Sequence, residues 1–206
     1  MKIKTKIPIS REILVDMETP LSVYRKLANG PYSYLFESVE GGENWARYSL
    51  IGLDASNIIF LKKNQIEIEL NGKIIESFHC DDPLEYIDNL HKSFDLKKNN
   101  DLPIFNGGLV GYFGYDCVRY IESRLVDSEP PDTIGTPDAL FMISDEVAVF
   151  DNLKNKLHLI VLIESEDDEE KANTRLDELE DRLKENLPYE DFNKPAKSIE
   201  ETDFVS

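Results

Sequence analysis

Residues 65–78 read QIEIEL-NG-KIIESF. Asn71-Gly72 is the strongest short hairpin signal a sequence offers, because both central positions of the tight turn need positive φ. The runs on either side carry β-branched residues in strand-like order, and NIIFLK (57–62) just before them reads the same way. This part of the chain is committed to an antiparallel sheet.

The remaining elements are read around that hairpin. Tyr32 to Val39 forms a strand, with Tyr32, Tyr34, Phe36 and Ser38 on one face and Ser33, Leu35, Glu37 and Val39 on the other. Gly41-Gly42 supplies a loop, and Ala46 to Leu53 a second strand with Arg47, Ser49 and Ile51 on one side. Residues 107–115 (GGLVGYFGY) alternate glycine with bulky side chains. Such a strand is weak on its own and implies another backbone, ring or ligand lying close against it. Residues 139–150 (ALFMISDEVAVF) and 156–163 (KLHLIVLI) are expected to pair as a hairpin across Asp151 to Asn155.

Thr19-Pro20 opens a helix, the threonine capping free N–H groups and the proline suiting the first helical position. Asp82-Pro83 repeats the arrangement, with Leu84, Ile87, Leu90 and Phe94 on one face. Asp116 is expected to cap a short helix reaching Arg124. Residues 164–185 are strongly acidic, yet Ala172, Leu176, Leu179 and Leu183 fall at helical spacing, which makes one amphipathic helix with a narrow apolar stripe. The fold class is α+β: mostly antiparallel β-sheets of about eight strands, with three or four peripheral helices. Residues 1–187 are read as one domain and 188–206, polar and proline-containing, as a linker.

Forty-one acidic residues against 23 basic give a formal net charge of -18. That surface repels nucleic-acid backbones and anionic membranes, so neither is expected as a partner. The basic start, MKIKTKIPIS, has no apolar stretch behind it and does not read as a signal peptide. Cys80 and Cys117 have no disulfide-framework spacing and read as reduced thiols. A cytoplasmic location is expected.

Little of the sequence suggests catalysis. His79, His91 and His158 are scattered and have no ligand-spaced partners, so no metal site is expected. The glycines of 107–114 lie within a strand pattern rather than between strand and helix, which rules out a dinucleotide loop. Asp145-Glu146 sit in a strand and point to opposite faces, which argues against a carboxylate dyad. The unusual chemistry is at Glu37-Ser38 and Arg47-Tyr48-Ser49. A carboxylate in mid-strand between Leu35 and Val39 needs a cationic partner. That partner is either Arg47, or another base across the sheet, or the ammonium group of a bound ligand.

Three blocks carry a family resemblance: TPLSVYRKLANGPYSYLFESVEGGENWARYSLIGLD (19–54), GGLVGYFGYDCVRYIE (107–122) and PDALFMISDEVAVFDNLKNKLHLIV (137–161). In order and over most of the chain, they resemble the amino-terminal region of anthranilate synthase component I. The resemblance implies a subunit of more than twice this length. Its chorismate-binding domain would begin just after DFVS (203–206), carry the Mg²⁺-binding glutamates and the acid–base residues, and turn chorismate and glutamine-derived ammonia into anthranilate and pyruvate. Partners implied are that domain, a glutamine amidotransferase component II, and L-tryptophan as feedback inhibitor. This stretch alone is expected to be inactive. By the same carry-over, Glu37 and Ser38 meet the tryptophan ammonium group, and Ser49 lines the pocket with Arg47 and Tyr48 beside it. Two alternatives stay open. One is the sibling aminodeoxychorismate synthase component I, against which GGENWARYSLIG (41–52) speaks. The other is a stand-alone amino-acid-binding module.

Overall fold

The computed structural model describes residues 5–28, 30–37, 47–122, 124–125 and 132–187. Within them lie β1 (Ile7–Leu14), β2 (Tyr34–Phe36), β3 (Tyr48–Gly52), β4 (Asn57–Lys62), β5 (Gln65–Leu70), β6 (Lys73–His79), β7 (Gly108–Phe113), β8 (Ala139–Ser144), β9 (Glu146–Asp151) and β10 (Lys156–Ile163). The α-helices are α1 (Pro20–Leu27), α2 (Pro83–Ser93) and α3 (Glu169–Lys184). The fold is α+β, built on two five-stranded sheets ordered β1-β10-β9-β3-β2 and β6-β5-β4-β8-β7. Every neighbouring pair is antiparallel.

The two sheets meet face to face, and helices cover their outer sides. Ile51, Phe150, Leu157, Leu159 and Val161 of the first sheet pack against Val23 and Leu27 of α1 and Ala172, Leu176, Leu179 and Leu183 of α3. All four apolar positions of the acidic helix are therefore buried. Ile59, Leu61, Ile66, Ile68 and Phe141 of the second sheet pack under Ile87 and Leu90 of α2. Between the sheets, Tyr34 and Leu50 meet Ile58, Val110 and Met142. Val147, Val149, Ile160 and Leu162 are covered by Phe94, Leu96, Leu102 and Phe105, from the stretch that follows α2.

The local signals act as the residue chemistry requires. Asn71 and Gly72 take φ of 51° and 76°. The Thr19 hydroxyl accepts from the Ser22 amide at 3.1 Å, and the Ser22 hydroxyl accepts from the Thr19 amide at 2.8 Å, closing a capping box. A Cβ placed on Gly111 would stand 1.9 Å from the Leu140 carbonyl oxygen, so the close backbone expected of the glycine-rich strand is β8.

Several expectations need correction. Residues 139–150 are two strands: β8 belongs to the second sheet and β9 to the first, and the chain changes sheet at Asp145. Only β9 pairs with β10. The short helix after β7 is a 3₁₀ helix, Tyr115–Tyr120, with Gly114 at its cap; Asp116 instead binds Arg119 at 2.9 Å. The described strands number ten, and β1, paired along its whole length with β10, is an addition to those expected. β2 stops at Phe36, short of Val39. The expected linker, 188–206, lies outside the described residues.

Asp145 and Glu146 turn to different partners, as residues on opposite faces must. The buried Lys6 ammonium stands 3.3 Å from Asp145 and 3.1 Å from Glu164. Burial pushes the Asp145 carboxyl above its ordinary value, against the pull of Lys6. Glu146 receives the Arg175 side chain of α3 at 2.9 Å, which ties the helix to the sheet.

Candidate functional site

The residues singled out in sequence lie where β2 ends and β3 begins, at one edge of the first sheet. The register is Tyr34↔Gly52, Leu35↔Ile51 and Phe36↔Leu50. Glu37 follows Phe36 and Ser49 precedes Leu50, so both positions adjoin the last of these pairs. The two segments identified from sequence are thus neighbours in space. Ser38 lies outside the described residues, as do positions 39–46.

Glu37 sits one residue past β2 and is exposed, which corrects the expectation of a carboxylate buried in mid-strand. The alternation runs on in the sequence past Phe36, but Glu37 is already outside the strand. Among the described residues Glu37 meets no ion-pair partner. Arg47 does not serve as one. Its Nε donates to the two Asp151 carboxylate oxygens at 3.2 and 3.1 Å, and its Nη2 donates to Oδ2 at 2.6 Å. The guanidinium carbon also stands 4.8 Å from the centre of the Tyr48 ring, at cation–π range.

Asp151 closes β9, and its side chain is only 2% exposed. Burial pushes its carboxyl up, but the Arg47 fork and the amides of Lys154 and Leu153 outweigh that and hold it below the usual carboxylate range. The same hydrogen bonds raise the Arg47 guanidinium further above its already high ordinary value. A two-pronged pairing of this kind is geometrically specific, because a planar fork meets two oxygens at once.

Asn152 completes the clamp. Its amide donates to the Arg47 carbonyl at 2.8 Å, and its side-chain Nδ2 donates to the Ser49 hydroxyl at 3.1 Å. Ser49 is 2% exposed and lies on the face that carries Ile51 and Phe150. In the sequence, Asp151 and Asn152 stand out only as the start of a hairpin turn. The signal that could have marked them is an aspartate at the end of an otherwise apolar strand, where a buried carboxylate demands a base.

The arrangement suits binding rather than bond-making. It offers an exposed carboxylate beside a neutralised arginine and an oriented hydroxyl, without a nucleophile–base pair among the described residues. Cavities lie elsewhere. One of about 550 Å³ is lined by Phe60, Lys62 and His79, and another of about 270 Å³ by Tyr112, Asp132 and Asp138. Neither shares a residue with the β2–β3 edge. Among the described residues no three His, Cys, Asp or Glu side chains gather as a metal site would require, and no helix is long and apolar enough to cross a membrane.

Comparison with known proteins places this geometry in context. A sequence profile for chorismate binding enzymes matches residues 40–205. Anthranilate synthase component 1 of Pseudomonas aeruginosa is 48% identical over 182 residues, covering 87% of this chain and 37% of that protein. The protein of the same name from Neisseria meningitidis serogroup B is 41% identical over 203 residues, covering 95% of this chain and 41% of its own length. The crystal structure of anthranilate synthase component I from Streptococcus pneumoniae superposes with a TM-score of 0.50 at 29% identity, over 82% of this chain and 36% of that one. The chain therefore spans well under half the length of these relatives.

Proposed function

Because this chain belongs to the chorismate-binding enzyme family, with anthranilate synthase component I among its relatives, we propose that it is the amino-terminal, tryptophan-sensing part of such an enzyme. The complete protein would convert chorismate and glutamine-derived ammonia to anthranilate and pyruvate. The ammonia would come from a glutamine amidotransferase subunit, and the chemistry from a domain outside this stretch. Residues 1–187 would form the sensing domain and 188–206 the link onward. Magnesium would act in that other domain.

The observation that carries the sensing role is Glu37: an exposed carboxylate that meets no counter-ion among the described residues, next to the Phe36–Leu50 pair that the buried Ser49 adjoins. A free carboxylate at a sheet edge is a fit receptor for an ammonium group. Glu37 and Ser38 would meet the amino group of L-tryptophan, Ser49 would line the pocket, and Arg47 with Tyr48 would form its wall. Inhibition then requires that tryptophan bind one arrangement of the protein better than another, and that difference is the only free energy available to shift turnover.

The test is the tryptophan inhibition curve of the full-length protein and of its Glu37→Ala and Ser38→Arg variants. Both variants are expected to need at least tenfold more tryptophan for half-inhibition while uninhibited turnover stays near wild type. Inhibition curves that superpose on wild type for both would refute the sensing role.

A further inference from the structure

Four strands end the two sheets: β1 and β2 in the first, β6 and β7 in the second. An edge strand offers a row of unpaired N–H and C=O groups, and proteins blunt such rows with short strands, prolines, charges or bulges. Three of the four are blunted in this way. β2 has only three residues. β1 carries Pro8, Arg11 and Glu12. β6 carries Lys73 and Glu76, and its ladder with β5 shifts register at Ile68/Glu69. β7 has none of these devices. It reads GLVGYF, without a charge or a proline, and it pairs with β8 without a register shift.

The paired side of β7 fixes its free side. The Gly114 amide donates to the Asp138 carbonyl at 2.6 Å. In an antiparallel ladder, successive residues point their main-chain groups alternately at the partner and away from it. Tyr112, Val110 and Gly108 therefore point theirs at β8, and Leu109, Gly111 and Phe113 point theirs outward. Among the described residues no strand pairs there. Gly111 is exposed, and Tyr112, Phe113 and Tyr115 are 42%, 55% and 88% exposed. Tyr112 and Phe113 lie on opposite faces, so a strand that covers this edge must be apolar on both.

We propose that in the complete polypeptide a strand from beyond position 206 pairs with the β7 edge, through the main chain of Leu109, Gly111 and Phe113, and extends the second sheet. The proposal rests on the reading of this chain as part of a longer enzyme, and it names where the rest docks. Two facts select the occupant. The chain covers 37% and 41% of two of its relatives, so more than half of a protein of that length is available to supply the strand. A second copy would instead bring another net charge of -18 to an edge that has no basic residue to offset the repulsion.

Amide hydrogen exchange on the full-length protein, resolved to single residues, reads the pairing without any substitution. The Leu109, Gly111 and Phe113 amides are expected to be protected by about a hundredfold or more over unstructured peptide amides. Replacement of Phe113 by the photoreactive analogue p-benzoylphenylalanine reads the occupant. Illumination should join position 113 to a peptide beyond position 206 of the same polypeptide.

Exchange of those three amides near the unstructured rate would overturn the inference. So would cross-links confined to residues 1–206, or an adduct of twice the mass, which would mark a second copy. These outcomes leave the longer-enzyme reading standing if the full-length protein forms anthranilate. A complete polypeptide without a second domain defeats that reading, and this inference with it.

Discussion

The hydroxyls of Tyr34 and Ser144 stand 2.9 Å apart and join the two sheets across their shared interior. Tyr34 belongs to β2 at the edge of the first sheet, and Ser144 is the last residue of β8 in the second. Both are buried, so each is the other's means of hydrogen bonding. Tyr34→Phe keeps the ring but leaves the Ser144 hydroxyl without its partner. The expected cost is about 1–3 kcal/mol, read as a lower urea midpoint with an unchanged slope.

The same burial pushes the Tyr34 phenol up to about 12. An acid whose folded pKa is raised gives up its proton more readily once unfolded, near pH 10. Stability is then unaffected below pH 10 and falls as pH rises from 10 towards 12. The Tyr34→Phe variant should lose this part of the alkaline dependence. A denaturation series at pH 9, 10 and 11 for both proteins checks it.

His158 gives the opposite slope on the acid side. Burial holds its imidazole below the ordinary value, with Glu12 opposing from 3.8 Å. Below about pH 6.5 the unfolded chain takes up a proton that the folded chain refuses. Stability should fall as pH drops from 6.5 through the folded pKa. In His158→Gln that component should vanish, so the difference between the two urea midpoints should shrink between pH 7 and pH 5.

Two glycines separate steric from conformational demand. At Gly111 a methyl group meets the Leu140 carbonyl at 1.9 Å, so Gly111→Ala must push β7 off β8. The expected loss is about 3 kcal/mol. At Gly72 nothing lies within 4 Å, but φ is +76°, so Gly72→Ala should cost only about 1 kcal/mol for the left-handed backbone. Thermal melts of the two variants should rank in that order.

Leu176 is completely buried beneath α3. Leu176→Ala should destabilise by about 2–5 kcal/mol, through lost transfer energy and the cavity left behind. Substitution of the neighbouring exposed Asp177 by alanine, which removes only a surface ion pair with Arg11, should change stability by less than about 1 kcal/mol. The contrast tests whether the acidic helix is held by its apolar stripe rather than by its charges.

Much of this arrangement was legible in the residues. The stripe of α3, the Asn71-Gly72 turn, both proline-led helix starts and the tight approach at Gly111 all follow from short-range rules that context did not override. The failures share one cause, which is that sheet membership is not local. An apolar run such as 139–150 looks the same whether it serves one sheet or two, and only the packing of distant strands divides it at Asp145. β1 is hard to read because Arg11 breaks the apolar alternation of Ile7, Ile9 and Ile13 and Pro8 is a poor strand residue. On an edge strand the missing N–H of a proline can point away from the ladder at no cost. At the site, proximity of positions 37 and 49 was readable from their neighbouring strands, whereas the partner of Arg47 was not. Asp151 is 104 residues away in sequence and meets it only because β9 lies beside β3.

The crossing at Asp145 has a mechanical consequence. With a single residue between β8 and β9, and that residue tied to Lys6, there is no slack for one layer to slide past the other. A push delivered at the rim of either layer is therefore felt by the other through that crossing.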